Sequence, residues 1–496
     1  MVLRFLSLAA VFLSAFAFDN SRYDNVAVYW GQNSIGAIST TPQSQWQKPL
    51  SFYCGDSAID VFPIAFVNGF FSTGGEPTMN LANTCNPTDN ATFPGTLLPN
   101  CASLAADIQT CQSKGKLVTI SLGGATGGVG FASDAQATTF ADTIWNLYLD
   151  HLAGGSSSTR PFGNAVLDGV DLDIEQGANT GYAAFVNEIR RLSSGASKKY
   201  YVTAAPQCVY PDSALGNALN SASFDAIYVQ FYNNPWSGEL RSFRGLQTYP
   251  TVSAWNFGIW DQWARTVSLN PNVKVYIGAP ASSTASGAGY VDLSTLSNIA
   301  VTMRKSFPSF GGVMLWDASQ AWQNNRYDLG IKNALVAAGG TGFTFPACSA
   351  AAYSTSGTYP GGSQVSYQGY IYQAKWFASS APSLNANGDW SAISACGGTS
   401  TGPTTTTTPS TSTSTTVSTT SSAPATGPTG SGSCAGVPAW SSAAIFVGGD
   451  KATYNGDLWT AQWWTEGDIP GGAAGVWVNN GACSASKRAS SRLFRN

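Results

Sequence analysis

Eight apolar runs of strand length alternate with helical stretches between residues 24 and 340, and this alternation leaves few folds open. The runs are Val26–Trp30, Val61–Val67, Leu117–Leu122, Gly169–Glu175, Tyr201–Ala204, Ala226–Tyr232, Val273–Ile277 and Gly312–Trp316. Eight buried strands with helices between them predict an α/β fold, a parallel (β/α)8 TIM barrel over residues 18–340. In such a barrel the chemistry belongs at the C-terminal ends of the strands.

The fourth run carries the chemistry. Residues 168–175 read Asp-Gly-Val-Asp-Leu-Asp-Ile-Glu. Asp171, Asp173 and Glu175 alternate with Val170, Leu172 and Ile174, the period of two of a β-strand. The three carboxylates therefore leave one face, with neighbours about 6.5 Å apart. Like charges that close cannot all ionise cheaply, so at least one holds a proton near neutral pH. A solvated acidic edge or a calcium site is the alternative. A calcium loop wants its oxygens on a flexible turn with Gly at the bend, whereas Val, Leu and Ile between these acids want a sheet core. General acid catalysis is the chemistry that such a strand fits.

Composition removes other classes. Only 10% of residues are charged, the net charge is -3, and no basic face exists to draw nucleic acid. Aromatic residues make up 12%, with 16 Trp, which suits a surface that meets neutral sugars. The single histidine, His151, excludes metal sites built on two or three histidines. A Ser-His-Asp triad would have to use His151, whose setting reads as the end of an amphipathic helix.

Arg4, the apolar run Phe5–Phe16 and the small-x-small site Ala15-Phe16-Ala17 read as a signal peptide over 1–17, too short to span a bilayer. The expected location is secreted, extracellular or cell-wall associated, with no membrane attachment. Nine cysteines in a secreted chain imply disulfides. Cys54, Cys85, Cys101 and Cys111 cluster early, Cys348 and Cys396 bracket one late segment, and Cys434 and Cys483 bracket another. Cys208 is the odd one out. Asn90-Ala91-Thr92 is an N-glycosylation sequon.

Residues 398–433 are almost entirely Thr, Ser, Pro and Gly, a linker that cannot bury a core. It separates two segments, 345–397 and 434–484, that repeat each other. Tyr367, Gly369, Tyr372, Ala374, Trp376, Phe377, Trp390 and Cys396 each have a counterpart of similar type 87 positions later. The tail over 485–496 is short and basic and is expected to be disordered.

These motifs resemble one family. Asp168 to Glu175 is similar to the DxxDxDxE signature of glycoside hydrolase family 18, the chitinases. Tyr29-Trp30-Gly31-Gln32-Asn33, Ser121-Leu122-Gly123-Gly124 and Gln230-Phe231-Tyr232-Asn233-Asn234 close strands one, three and six, and together resemble the class III, hevamine-like branch. The resemblance implies that Glu175 donates a proton to the glycosidic oxygen. Asp173 would orient the substrate's acetamido group, Asp171 would share a proton with Asp173, and Tyr232 would bond the acetamido oxygen. The sugar's own acetamido carbonyl would be the nucleophile, giving net retention. Trp316 matches the floor beneath the scissile sugar, and Gln230, Tyr29 and Gly124 are further candidate sugar contacts.

The resemblance also suggests the pairs Cys54–Cys111 and Cys85–Cys101. In hevamine-like relatives the position of Cys208 is disulfide-bonded, yet the expected partner is absent from Pro235-Trp236-Ser237. No cofactor or metal is implied. The partners are chitin and chitooligosaccharides, bound by a monomer. A gap of about 34 residues between strands seven and eight leaves no room for the extra domain that walls the cleft of processive relatives, so cleavage should be endo.

The repeated segments resemble carbohydrate-binding families 5 and 12, with Trp440, Trp464 and Trp477 as the pool of stacking residues in the second copy. The first copy has Phe377 where the second has Trp464, and reads as a weakened binder or a spacer packed on the barrel. Alternatives to an endochitinase are a non-catalytic chitin lectin, an endo-β-N-acetylglucosaminidase on N-glycans, and a two-carboxylate glycosidase.

Overall fold

The eight apolar runs fold into eight parallel strands: β1 Asn25–Val28, β2 Val61–Gly69, β3 Leu117–Gly123, β4 Gly169–Asp173, β5 Tyr201–Ala204, β6 Ala226–Gln230, β7 Lys274–Pro280 and β8 Phe310–Trp316. In this computed structural model the described residues are 18–149, 159–234 and 255–397, with 434, 436–442, 444–446, 450–461, 465–472 and 476–483 beyond them. His151, Trp236, Trp464, the leader, the linker and the tail lie outside the described residues. Neighbouring strands pair in order around the ring, and β1 pairs with both β2 and β8, which closes the barrel.

The period of two sorts the side chains into two cores. Val26 and Val28 point outward into the layer shared with the helices, together with Ile64, Ile120, Val170 and Leu172. Ala27 and Tyr29 point inward beside Tyr228, Tyr276 and Met314. Among the described residues the helices on the outside include α1 Ala105–Ser113, α2 Asp134–Ile144, α3 Tyr182–Leu192, α4 Gly216–Ser221, α5 Phe257–Thr266, α6 Leu293–Ser306, α7 Ala318–Gln323 and α8 Tyr327–Ala337.

An aspartate immediately precedes β1, β2, β4 and β6 (Asp24, Asp60, Asp168 and Asp225). Asp60, Asp168 and Asp225 each accept the backbone N–H of the second residue of the adjacent strand, Val26, Val118 and Val202, at 2.8–2.9 Å. All four meet a cation: Arg22, Lys332, Lys198 and the pair Arg190 and Lys199 respectively. Asp168 is thus a strand-end clamp, and it has no part in the site at the opposite end.

The chain forms two compact units, Met1–Thr405 and Thr406–Asn496. The first repeat belongs to the barrel's unit. Its strands, β9 Gln364–Tyr367, β10 Tyr370–Ala374 and β11 Trp390–Ala395, make an antiparallel sheet in that order, stapled by Cys348–Cys396. It packs on α5, where Phe257 to Ala264 are all buried. An added Cβ on Gly258 would stand 2.1 Å from the Ala392 carbonyl oxygen, so only glycine lets β11 come this close. Tyr370 donates to buried Asp261 at 2.7 Å, Gln262 donates to Tyr372 at 2.7 Å, and the Arg265 guanidinium lies over the rings of Phe345 and Tyr370.

The second repeat forms the same three-stranded sheet from Lys451–Tyr454, Asp457–Ala461 and Trp477–Ala482, stapled by Cys434–Cys483. Its register is that of the first copy: Ala461 faces Trp477 as Ala374 faces Trp390. The remaining disulfides are Cys54–Cys111 and Cys85–Cys101, and Cys208 is buried outside all four.

Candidate active site

The register of the barrel explains how the acids are held. Ser121 on β3 and Thr203 on β5 are the direct partners of Asp171 on β4. Neighbours in register share a face, so both hydroxyls flank the inward carboxylate. Asp171 Oδ2 accepts from Ser121 at 2.6 Å and from Tyr29 at 2.7 Å, and Oδ1 accepts from Thr203 at 2.6 Å. Burial pushes the Asp171 carboxyl up, and these three hydroxyls pull it back. Hydroxyls thus take both oxygens of Asp171, and Asp173 Oδ1 is held by the Gln230 side chain at 2.8 Å.

The ladder of β4 stops at Asp173, and Glu175 lies two residues beyond it. The last rung is made against the two glycines that close β3. Gly123 has φ +114, and an added Cβ would stand 2.2 Å from the Asp173 carbonyl oxygen. Gly124, at φ +83, donates its N–H to that same oxygen at 2.8 Å. A Cβ on Gly124 would press on the Phe66 ring at 2.7 Å. Beyond this rung Glu175 stands off the sheet, half-buried, at the rim of a cleft of about 410 Å3.

Asp173, Glu175, Tyr232, Gln230, Gly124 and Trp316 line that cleft together. Trp316 stacks on Phe66 with ring centres 5.8 Å apart. Tyr29 does not reach the cleft wall; it is buried beneath, where it holds Asp171. Gln230 faces the cleft but spends its amide on Asp173 and the Ala205 carbonyl. Burial raises Asp173 well above the usual carboxylate range, and the charges of Glu175, Asp171 and Asp212 add to it. Burial also raises Glu175; a hydrogen bond from Gln230 opposes this and the Asp212 charge adds to it. Tyr232 is held far above a normal phenol by burial and by both acids. Among the described residues no cation pairs with Asp171, Asp173, Asp212 or Glu175. The site is a set of carboxyl groups kept proton-hungry beside an aromatic floor.

The sequence profile of glycosyl hydrolases family 18 matches residues 25–292. The chain belongs to that family. This family 18 chain is 47% identical over 322 residues to Chitinase 2 of Rhizopus oligosporus, covering 65% of itself and 54% of that protein. It is 41% identical over 336 residues to Endochitinase 33 of Trichoderma harzianum, covering 66% of itself and 97% of that protein. The chain thus spans little more than half the length of the Rhizopus relative and nearly all of the Trichoderma one. The crystal structure of a chitinase from Ipomoea carnea is 30% identical, with a TM-score of 0.50, covering 62% of this chain and 99% of its own.

Several residues of this family 18 site escape a reading by motif. Phe66, Asn68 and Asn80 line the cleft from β2 and its loop, and Ser121 and Thr203 hold Asp171. The last two carried a signal: each is a hydroxyl at an inward position of an otherwise apolar strand. Asp212 had the weaker signal of a Pro-Asp turn after β5.

In the second repeat, Trp477 is core, not platform. It is 7% exposed, donates its indole N–H to the Asp468 carbonyl at 2.8 Å and packs edge-on to Phe446. Trp440 is half-exposed against Tyr454. In the first repeat, Trp376 and Phe377 are 45% and 61% exposed, and Asp389 fixes the Trp376 indole at 2.8 Å. Asn90 of the sequon is exposed. Among the described residues no helix is long and apolar enough to cross a membrane.

Proposed function

We propose that this chain is a secreted endochitinase of the class III, hevamine-like branch, hydrolysing β-1,4-linked N-acetylglucosamine polymers with retention. The observation that carries the reading is the grouping of Asp173, Glu175 and Tyr232 around one cleft with Trp316. Both acids are raised and neither has a cation partner among the described residues. A carboxyl that keeps its proton in this setting is poised as a general acid.

The reaction follows from these roles. Glu175 gives its proton to the glycosidic oxygen as the bond to the anomeric carbon breaks. The acetamido carbonyl oxygen of the same sugar bonds to that carbon from the opposite face, forming a cyclic oxazolinium. Asp173 accepts from the acetamido N–H and steadies the positive charge, while the Tyr232 hydroxyl orients the carbonyl. Asp171, held by three hydroxyls, adds its negative charge beneath Asp173, and Gln230 fixes Asp173 in place. The Glu175 carboxylate then takes a proton from water, whose oxygen opens the ring from the first face. Two inversions leave the configuration unchanged. Holding the internal nucleophile in place removes much of the entropic cost of the step.

The segment between β7 and β8 carries one helix, α6, which supports an open cleft and endo cleavage. The disulfides and the apolar leader support secretion. The two repeats are read as chitin-binding modules of families 5 and 12, with Trp440 and Trp464 as the platform of the second and Trp376 with Phe377 as that of the first. Reaction of chitohexaose, followed by proton NMR of the fresh anomers, tests the reading. β-Anomers from internal bonds and inhibition by a thiazoline mimic of the cyclised acetamido group are expected. Equal hydrolysis of a glucan lacking the amide would sink it.

A further inference from the structure

A fourth carboxyl group sits beside the site, and the mechanism above does not use it. Asp212 follows β5 and is 5% exposed. It gathers a loop around itself. Oδ2 accepts the Gln207 N–H at 2.8 Å, and Oδ1 accepts those of Ala214 at 2.9 Å and Leu215 at 2.5 Å. Gln207 lines the cleft, bridges to Gln230 and directs its amide at the Glu175 carbonyl oxygen at 3.5 Å. Gln230 is the residue that grips Asp173. Asp212 is therefore one residue removed from Glu175, by way of Gln207, and two from Asp173, by way of Gln207 and Gln230.

A loop clamp needs an acceptor but not a charge, and a buried charge without a cation is costly. The four aspartates that begin strands each have a cation. Asp212 has none among the described residues, and the loop it closes reaches the Glu175 backbone carbonyl through Gln207. We infer that Asp212 is a positioning residue for Glu175: it closes the loop that carries Gln207, and its negative charge makes Glu175 hold its proton more tightly. This rests on the reading of Glu175 as the general acid and adds a control on it.

The groups facing Glu175 are Asp173 on its own strand, Tyr232 after β6 and Asp212 after β5, with Asp171 acting through Asp173. Burial brings Asp212 to about 6. Its charge is then present on the alkaline side of that value. Removing the charge weakens the hold of Glu175 on its proton, so the alkaline limb of the rate must move to lower pH.

The test is kcat and KM against pH on a soluble chitooligosaccharide for the wild type, Asp212→Asn, Asp212→Glu and Glu175→Gln. Asp212→Asn should shift the alkaline limb of kcat down by about half to one pH unit, with KM little changed, and Asp212→Glu should restore it. A uniform loss of kcat with the limb unmoved would reduce Asp212 to a loop clamp and overturn the inference. Wild-type activity in Glu175→Gln would instead remove the reading beneath it. Should Asp212→Asn fail to fold, carboxyl-carbon NMR of the wild-type chain answers the question. The Glu175 resonance must respond near pH 6 as Asp212 ionises, and a silent resonance overturns the inference.

Discussion

The two ends of the barrel use the same side chain for opposite purposes. At the end where the strands begin, Asp24, Asp60, Asp168 and Asp225 each meet a lysine or arginine. Three of them also tie the first turn of a neighbouring strand through a backbone N–H. At the end where the strands finish, Asp171, Asp173, Glu175 and Asp212 meet hydroxyls, amides and one another. Asp168 and Glu175 bound the same short stretch, and they belong to different systems. Residue type does not separate structural from chemical acids; the sign of the neighbouring charge does.

The sharpest break of that comparison is Glu175→Gln. It should lower kcat by about 10^3 and leave the melting temperature unchanged, since the half-buried amide replaces a carboxyl with no cation to strand. Asp173→Asn should cost about 10^2 in kcat, with equal or higher thermal stability because like-charge repulsion is relieved. The mirror experiment is Asp225→Ala. It leaves the Val202 N–H without its acceptor and Arg190 without its carboxylate, so denaturant unfolding should show a loss of about 2 kcal/mol while kcat of the folded enzyme is unchanged. If Asp225→Ala lost activity without stability, the division between the two ends would fail. The smallest effect is expected at Tyr370→Phe, which removes one of the bonds to buried Asp261 and should cost about 1 kcal/mol.

Much of this division was legible in the octet that holds Asp168 and Glu175. The period of two placed Asp171, Asp173 and Glu175 on one face. What escaped depends on neighbours that only the closed ring defines. Ser121 and Thr203 hold Asp171 because their strands flank β4 in register, and a single strand cannot announce its partners. The alternation also runs on through Ile174 to Glu175, although the ladder ends at Asp173, whose carbonyl takes the Gly124 N–H as the last rung. Trp477 shows the limit of counting aromatics. Its indole N–H points at a backbone carbonyl inside the module, and nothing in the spacing of tryptophans tells a core ring from a platform.

The burial of α5 on all sides has a practical meaning for anyone trimming this protein. Ending the chain after α8 would look like a clean excision of an enzyme from its accessory cassette. It would instead strip the cover from Gly258, Gln262 and Arg265 and leave the Asp261 carboxyl without its phenol donor. The smallest autonomous enzyme should therefore extend through Cys396, and the first repeat should melt with the barrel in a single transition.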